Sequence, residues 1–109
     1  MTGHSLGDFE LTVLLAVARL GDDAYGVRIR HDVNAMQRHE YAVGAIYTTL
    51  GRLETKRFVE STMSEPLPIR GGRSRRHYRV TAAGQRAIRE ARDRAARVWG
   101  TSNLGPSRA

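Results

Sequence analysis

The side chains best placed to do chemistry sit in one run, Gly44-Ala45-Ile46-Tyr47-Thr48-Thr49-Leu50-Gly51-Arg52-Leu53-Glu54. At helical spacing Ile46, Leu50 and Leu53 form an apolar seam flanked by Val43 and Tyr47. Ala45, Thr48 and Arg52 then lie on the opposite side, with Thr49 at its margin. A face of small residues ending in a guanidinium can approach base edges closely. Arg52 can reach a guanine or a phosphate, Thr48 and Thr49 can meet thymine methyls or phosphates, and Ala45 permits the approach. Tyr47 adjoins the seam, so its ring is assigned to the core and only its hydroxyl is offered to a phosphate. Downstream, Arg70, Arg73, Arg75 and Arg76 surround Gly71-Gly72, a basic hairpin tip suited to phosphate or minor-groove contact. Taken alone, either stretch is an ordinary solvated surface. In this order they supply what a winged helix-turn-helix needs, one helix for a DNA groove and one wing for the flanking backbone.

Composition points the same way. Eighteen Lys and Arg against 11 Asp and Glu give 109 residues a formal charge of +7, which favours polyanions through counterion release, nucleic acid first and an anionic membrane surface second. Length implies one domain, and 40% apolar residues build a modest core to which a second subunit would add stability. With no cysteine there is no disulfide, thiolate nucleophile or Cys-ligated zinc. His4, His31, His39 and His77 show no metal-ligand spacing, and no nucleophile motif or phosphate-binding glycine loop is present. No enzymatic activity, cofactor or metal is therefore expected. The longest apolar stretch, Leu11 to Ala18, is too short to span a bilayer, and Met1 to Leu6 has no signal-peptide pattern, so a cytoplasmic protein is expected.

The elements that must position these residues follow from periodicity. Phe9, Val13, Leu14, Val17 and Leu20 predict a first helix from Asp8 to Leu20, ended by Gly21-Asp22-Asp23. Leu11, Leu15, Ala16 and Ala18 widen its apolar face enough for a second subunit to share it. Asp23 is the expected N-cap of a second helix, Ala24 to Met36, which buries Tyr25, Ile29, Val33 and Met36 and turns Arg28, Arg30 and His31 outward. The third helix begins near Val43 or Gly44. Phe58 to Ser64 and His77 to Val80 read as strands, with Pro66-Leu67-Pro68 interrupting pairing between them and His77 finishing the second. Thr81 should cap a last helix from Ala82 to about Trp99, along which Ile88, Ala91, Ala95 and Val98 repeat. Its arginines, Arg86, Arg89, Arg92, Arg94 and Arg97, form a solvated face. The expected fold is mainly α with a small β-hairpin, in the order α-α-α-β-β-α. Residues 1–5 are read as a flexible N-terminus, 6–81 as the DNA-binding domain, 82–99 as a dimerisation helix and 100–109 as a disordered tail. Phe9, Val13 and Val17 with Ile88, Ala91, Ala95, Val98 and Trp99 make up the expected dimer interface.

Three segments, Tyr25-Gly26, Gly44 to Glu54, and Tyr78-Arg79-Val80-Thr81-Ala82-Ala83-Gly84, resemble the PadR family of bacterial transcriptional regulators, a likeness spanning about Leu6 to Trp99. The resemblance implies a dimeric winged helix-turn-helix that usually represses genes and is often released from DNA by a small molecule. The sequence departs from the family pattern at Ala42, where a Ser commonly caps the recognition helix, and Gly44 is expected to cap instead. It departs again at Arg57, where the family has Gly, and in ending soon after a single C-terminal helix. Some members use a Trp of that helix to sense aromatic drugs. Trp99 stands about one turn later, which makes it a cover for the dimer edge or the contact for a small hydrophobic or aromatic effector. The expectation is a homodimeric repressor on double-stranded DNA with a palindromic operator. The alternative is a winged-helix module for protein or RNA contact without sequence-specific DNA binding.

Overall fold

The structure, a computed structural model, describes residues 6–63 and 75–102, with 101 and 102 in backbone only. Helix α1 spans Asp8–Leu20, as its periodicity predicts, and buries Val13, Leu14, Ala16 and Val17. At its start the Glu10 carboxylate accepts the Gly7 N–H at 2.9 Å, satisfying one of the donors a helix start leaves open. The same carboxylate pairs with Lys56 at 2.7 Å and ties α1 to the end of the third helix. A 3-10 turn, Gly21–Asp23, follows, with Gly21 at φ 55.

Helix α2 runs Gly26–Gln37, later than expected, and its N-cap is Tyr25 in place of Asp23. The reason lies far along the chain: the Tyr78 N–H donates to Ala24 O at 2.9 Å, and Tyr25 forms an isolated antiparallel bridge with His77. Residues 24 and 25 are thus bonded to a strand, with Tyr25 extended, and lie outside the helix. Arg38, left-handed at φ 53, ends α2. Arg30 Nε donates to Tyr41 O at 2.7 Å, and the Tyr41 N–H donates to Asn34 Oδ1 at 2.9 Å, fixing the connection to the next helix. Helix α3 is Val43–Thr55, and Ala42 is its N-cap with no side-chain capping bond. Gly44, expected to cap, lies inside the helix.

Strands β1 (Val59–Met63) and β2 (Arg76–Val80) pair antiparallel, with Val59 opposite Val80 and Met63 opposite Arg76. The turn into β1 places Arg57 at φ 65, a region that a side-chain-bearing residue enters at a cost. It is pinned from both sides: the Phe58 N–H donates to Leu53 O at 2.9 Å, and Thr81 Oγ1 donates to Arg57 O at 2.7 Å. Thr81 Oγ1 also accepts the Gly84 N–H at 3.0 Å, the N-cap role expected of it. Helix α4 spans Ala82–Ser102, running past Trp99 because Gly100 alone does not stop a helix that is already propagating.

The core gathers Val13, Leu14, Val17, Ile29, Val33, Ile46, Leu50, Leu53, Phe58, Val59 and Tyr78. This corrects the expected dimer interface: Val13 and Val17 are 0% and 1% exposed and cannot be offered to a second subunit. The broad apolar face of α1 is filled within its own chain, by α2, α3, β2 and α4. Phe9 is half-buried, its ring 4.6 Å from that of Tyr41. Among the described residues no helix is long and apolar enough to cross a membrane.

Candidate nucleic-acid interface

Helix α3 turns Ile46, Thr49, Leu50 and Leu53 into the core. Thr49, expected to meet DNA, is only 4% exposed. At about 100° per residue it falls about 40° beyond Leu53, at the edge of the seam, and its side chain is packed with it. Ala45 is half-buried beside it. The exposed face is centred instead on Gly44, Thr48 and Gly51, with Tyr47 along one edge and Arg52 along the other. The Arg52 guanidinium enters none of the ion pairs among the described residues. It lies near Glu10, with Lys56. Burial pushes the Glu10 carboxyl up, but hydrogen bonds from Lys56 and the Gly7 amide and the charges of Lys56 and Arg52 more than offset it, leaving its pKa lowered.

Tyr47 is not the core ring expected from its place beside the seam. It is 44% exposed and lies over Gly26, where an added Cβ would come within 1.9 Å of its hydroxyl. On the wing, the Arg75 guanidinium sits 4.4 Å from the centroid of Tyr25, a cation–π distance. Tyr25 in turn meets His77 edge-on at 5.3 Å. His77 Nε2 donates to Gly21 O at 3.0 Å, pinning the wing base to the turn after α1. Arg76 donates to Ser61 Oγ at 2.8 Å, and Ser61 Oγ donates to Glu54 Oε2 at 2.8 Å. Tyr25, Arg28, Tyr47, Arg75 and Arg76 line one pocket of about 370 Å³, so part of the expected wing and part of the expected recognition helix are brought together. Arg70, Arg73, the Gly71-Gly72 tip and the Pro66–Pro68 interruption lie outside the described residues, as do residues 1–5 and 103–109 of the expected flexible ends. Among the described residues no His, Asp or Glu cluster could hold a metal ion.

The family model described as "Transcriptional regulator PadR-like family" matches residues 14–90. The chain belongs to this family. It is therefore a DNA-binding transcriptional regulator and not an enzyme. Among solved structures it is similar to a PadR-like transcriptional regulator from Bacillus cereus, with 21% identity over 92% of each chain and a TM-score of 0.70. A PadR family regulator from Eggerthella lenta shares 23% identity over 88% of this chain and 82% of its own, with a TM-score of 0.65. RosR of H. salinarum shares 19% identity over 97% and 84%, with a TM-score of 0.70. No curated protein matches the chain.

Two of the PadR-like motifs now have physical reasons. Gly26 makes room for Tyr47, and at Gly84 a Cβ would stand 2.2 Å from Phe58 O, so only glycine lets α4 start this close to β1. Gly44 and Gly51 differ: a Cβ at either meets nothing within 4 Å. Both lie on the exposed face of α3, and the face of Ala45, Thr48 and Arg52 expected from the sequence passed over them. A full helical projection carries the signal, since it sets both glycines on the strip of Thr48. Also missed were Val27 and Val43, 78% and 50% exposed, which line a groove of about 800 Å³ between α2 and α3. Arg30, expected to face outward, is engaged with Tyr41 O and Glu40.

In this PadR-like chain the first half of α4 packs on the domain, with Ile88 and Ala91 half-buried. From Arg92 to Gly100 the helix is exposed, and Val98 and Trp99 are 59% and 64% exposed. Leu6, Leu11, Ala91, Ala95, Val98 and Trp99 border a groove of about 320 Å³ between α1 and α4.

Proposed function

We propose that this PadR-like regulator is a cytoplasmic homodimeric repressor whose two α3 helices enter successive major grooves of a palindromic operator. Residues 6–81 read and grip the DNA, and residues 82–99 join the subunits. The observation that carries this reading is the exposed strip of Gly44, Thr48 and Gly51 beside Arg52 on a helix otherwise well packed. A strip without bulk lets base edges approach, and a guanidinium at its edge can donate to guanine O6 and N7. Arg70, Arg73 and Arg75 add grip on the adjoining backbone that carries no sequence information.

One short helix reads few base pairs, so site choice needs a second copy. Support for a dimer comes from α4, whose exposed half carries Ala95, Val98 and Trp99. Exposed apolar side chains gathered on one helix suit burial against a partner helix. Ile88 and Ala91 continue the same stripe towards the domain. A small aromatic effector bound beside Trp99 would bear on α4, and through it on the spacing of the two α3 helices. Titrating planar aromatic compounds should quench Trp99 fluorescence over the range that releases DNA, and absence of quenching there refutes the effector role.

Competition binding at fixed, near-physiological salt tests the main reading. DNA from upstream of the encoding gene should outcompete random duplex and structured RNA. Equal affinity for all three refutes specific repression and leaves the basic wing as a general electrostatic surface.

A further inference from the structure

Recognition helix and wing are joined by one shared hydroxyl. Ser61 stands opposite Tyr78 in the hairpin, between the end of α3 and the first residue of β2. Its hydroxyl has one proton to give and lone pairs with which to receive. It gives the proton to Glu54 Oε2 at 2.8 Å and receives from an Arg76 guanidinium nitrogen at 2.8 Å. The chain therefore runs in one direction, from Arg76 through Ser61 to Glu54. Its outer members are charged, which strengthens both bonds. Glu54, Arg76 and Tyr47 are also the groups whose charge or polarity bears on the buried Tyr78 hydroxyl, so α3 and β2 converge electrostatically as well as through Ser61. Arg79, on the opposite face of β2, pairs with Glu60 of the neighbouring strand.

We propose that Ser61 couples the reading helix to the wing, and that Arg76 acts through it as a positioning residue and not as a phosphate contact. The proposal rests on the DNA reading above. The bridge fixes how far the wing stands from α3, and so how far the backbone grip stands from the bases being read. The positive charge of Arg76 is answered by Glu54 across the hydroxyl, so it adds little to counterion release.

The test compares Arg76→Ala, Ser61→Ala, Ser61→Thr and Glu54→Gln with the wild type. Binding to operator and to random duplex is measured across a salt series, with thermal melting as a check on folding. Arg76→Ala and Ser61→Ala should each weaken operator binding about fivefold while leaving random-duplex affinity and the slope of log K against log salt unchanged. Ser61→Thr, which keeps a hydroxyl, should restore the wild-type value. Glu54→Gln, which keeps an uncharged acceptor, should fall between, and it carries the test if an alanine variant fails to fold. If Arg76→Ala lowers the salt slope by about one and Ser61→Ala changes nothing, Arg76 is a phosphate contact and the proposal is overturned. A wild-type protein that does not prefer the operator overturns the underlying DNA reading, and the proposal with it.

Discussion

Replacing Gly51 by alanine should make this protein more stable and a poorer reader of DNA. Gly51 lies well inside α3, Val43–Thr55, is exposed, and an added Cβ meets no atom within 4 Å. Glycine in a helix interior is less favourable than alanine by about 0.8–1.0 kcal/mol, and here no clash opposes the gain. For a domain of this size that corresponds to a rise of about 4 °C or more in Tm. On the DNA side, the methyl would stand between the helix and the base edges. Losing one good base contact costs about 1–3 kcal/mol, roughly a fivefold to 150-fold fall in operator affinity. Affinity for random duplex should hold. Calorimetry gives the first quantity, and fluorescence anisotropy with operator and random duplex at one salt concentration gives the second. The opposite signs make the test sharp, because a substitution that harms binding by loosening the fold cannot also raise Tm. A stabilised variant that binds operator as tightly as the wild type would refute the reasoning and move the reading strip elsewhere.

Arg52→Ala should reduce discrimination between operator and random duplex while changing stability by no more than about 0.5 kcal/mol; full discrimination in the variant would show that Arg52 does not read. Arg57→Gly removes a side chain from a residue at φ 65 and should stabilise the fold by about 1 kcal/mol in denaturant titrations, with no gain counting against strain there. Folding lowers the Glu10 pKa from its ordinary 4.5, so the stability this group supplies is complete above that value and is lost as pH falls through the lower, folded pKa. Glu10→Gln should therefore flatten the acid limb of the stability profile below about pH 4.5, and superimposable limbs would refute the assignment. Val98→Glu, on the exposed half of α4, should shift sedimentation equilibrium towards monomer, whereas an unchanged dimer mass would place the interface elsewhere.

What could be read from the sequence was local. The bounds of α1 were legible because Phe9, Val13, Leu14, Val17 and Leu20 keep one period and Gly21 breaks it. Thr81 was legible as a cap because its partner, the Gly84 amide, is three residues away. The start of α2 was not, because strand β2, some fifty residues on, bonds Ala24 and holds Tyr25 extended outside the helix. The breadth of the apolar face of α1 was legible too, but a sequence does not say whether a wide face meets another subunit or the rest of its own chain, and Val13 and Val17 proved to be the latter. The motif glycines show the same divide. Gly26 and Gly84 stand out as letters, but their reasons, Tyr47 and the Phe58 carbonyl, are distant in the chain and near only in space.

Moving the centre of the proposed reading face from Ala45, Thr48 and Arg52 to Gly44, Thr48 and Gly51 changes what borders it. Along one edge runs Tyr47, which shares a pocket with Arg28 and Arg75. Along the other runs Arg52, whose charge with that of Lys56 bears on Glu10. The strip itself is neutral and nearly without side chains. A bulk-free neutral strip with cations on both flanks is the electrostatic complement of a major groove, where base edges lie between two phosphate ridges. A solvated amphipathic helix has no need of that order, since its charges serve solubility wherever they stand. The arrangement also explains why glycine is tolerated at Gly51 despite its cost to the helix: on the proposed reading, stability is given up at the point where the groove floor must come closest.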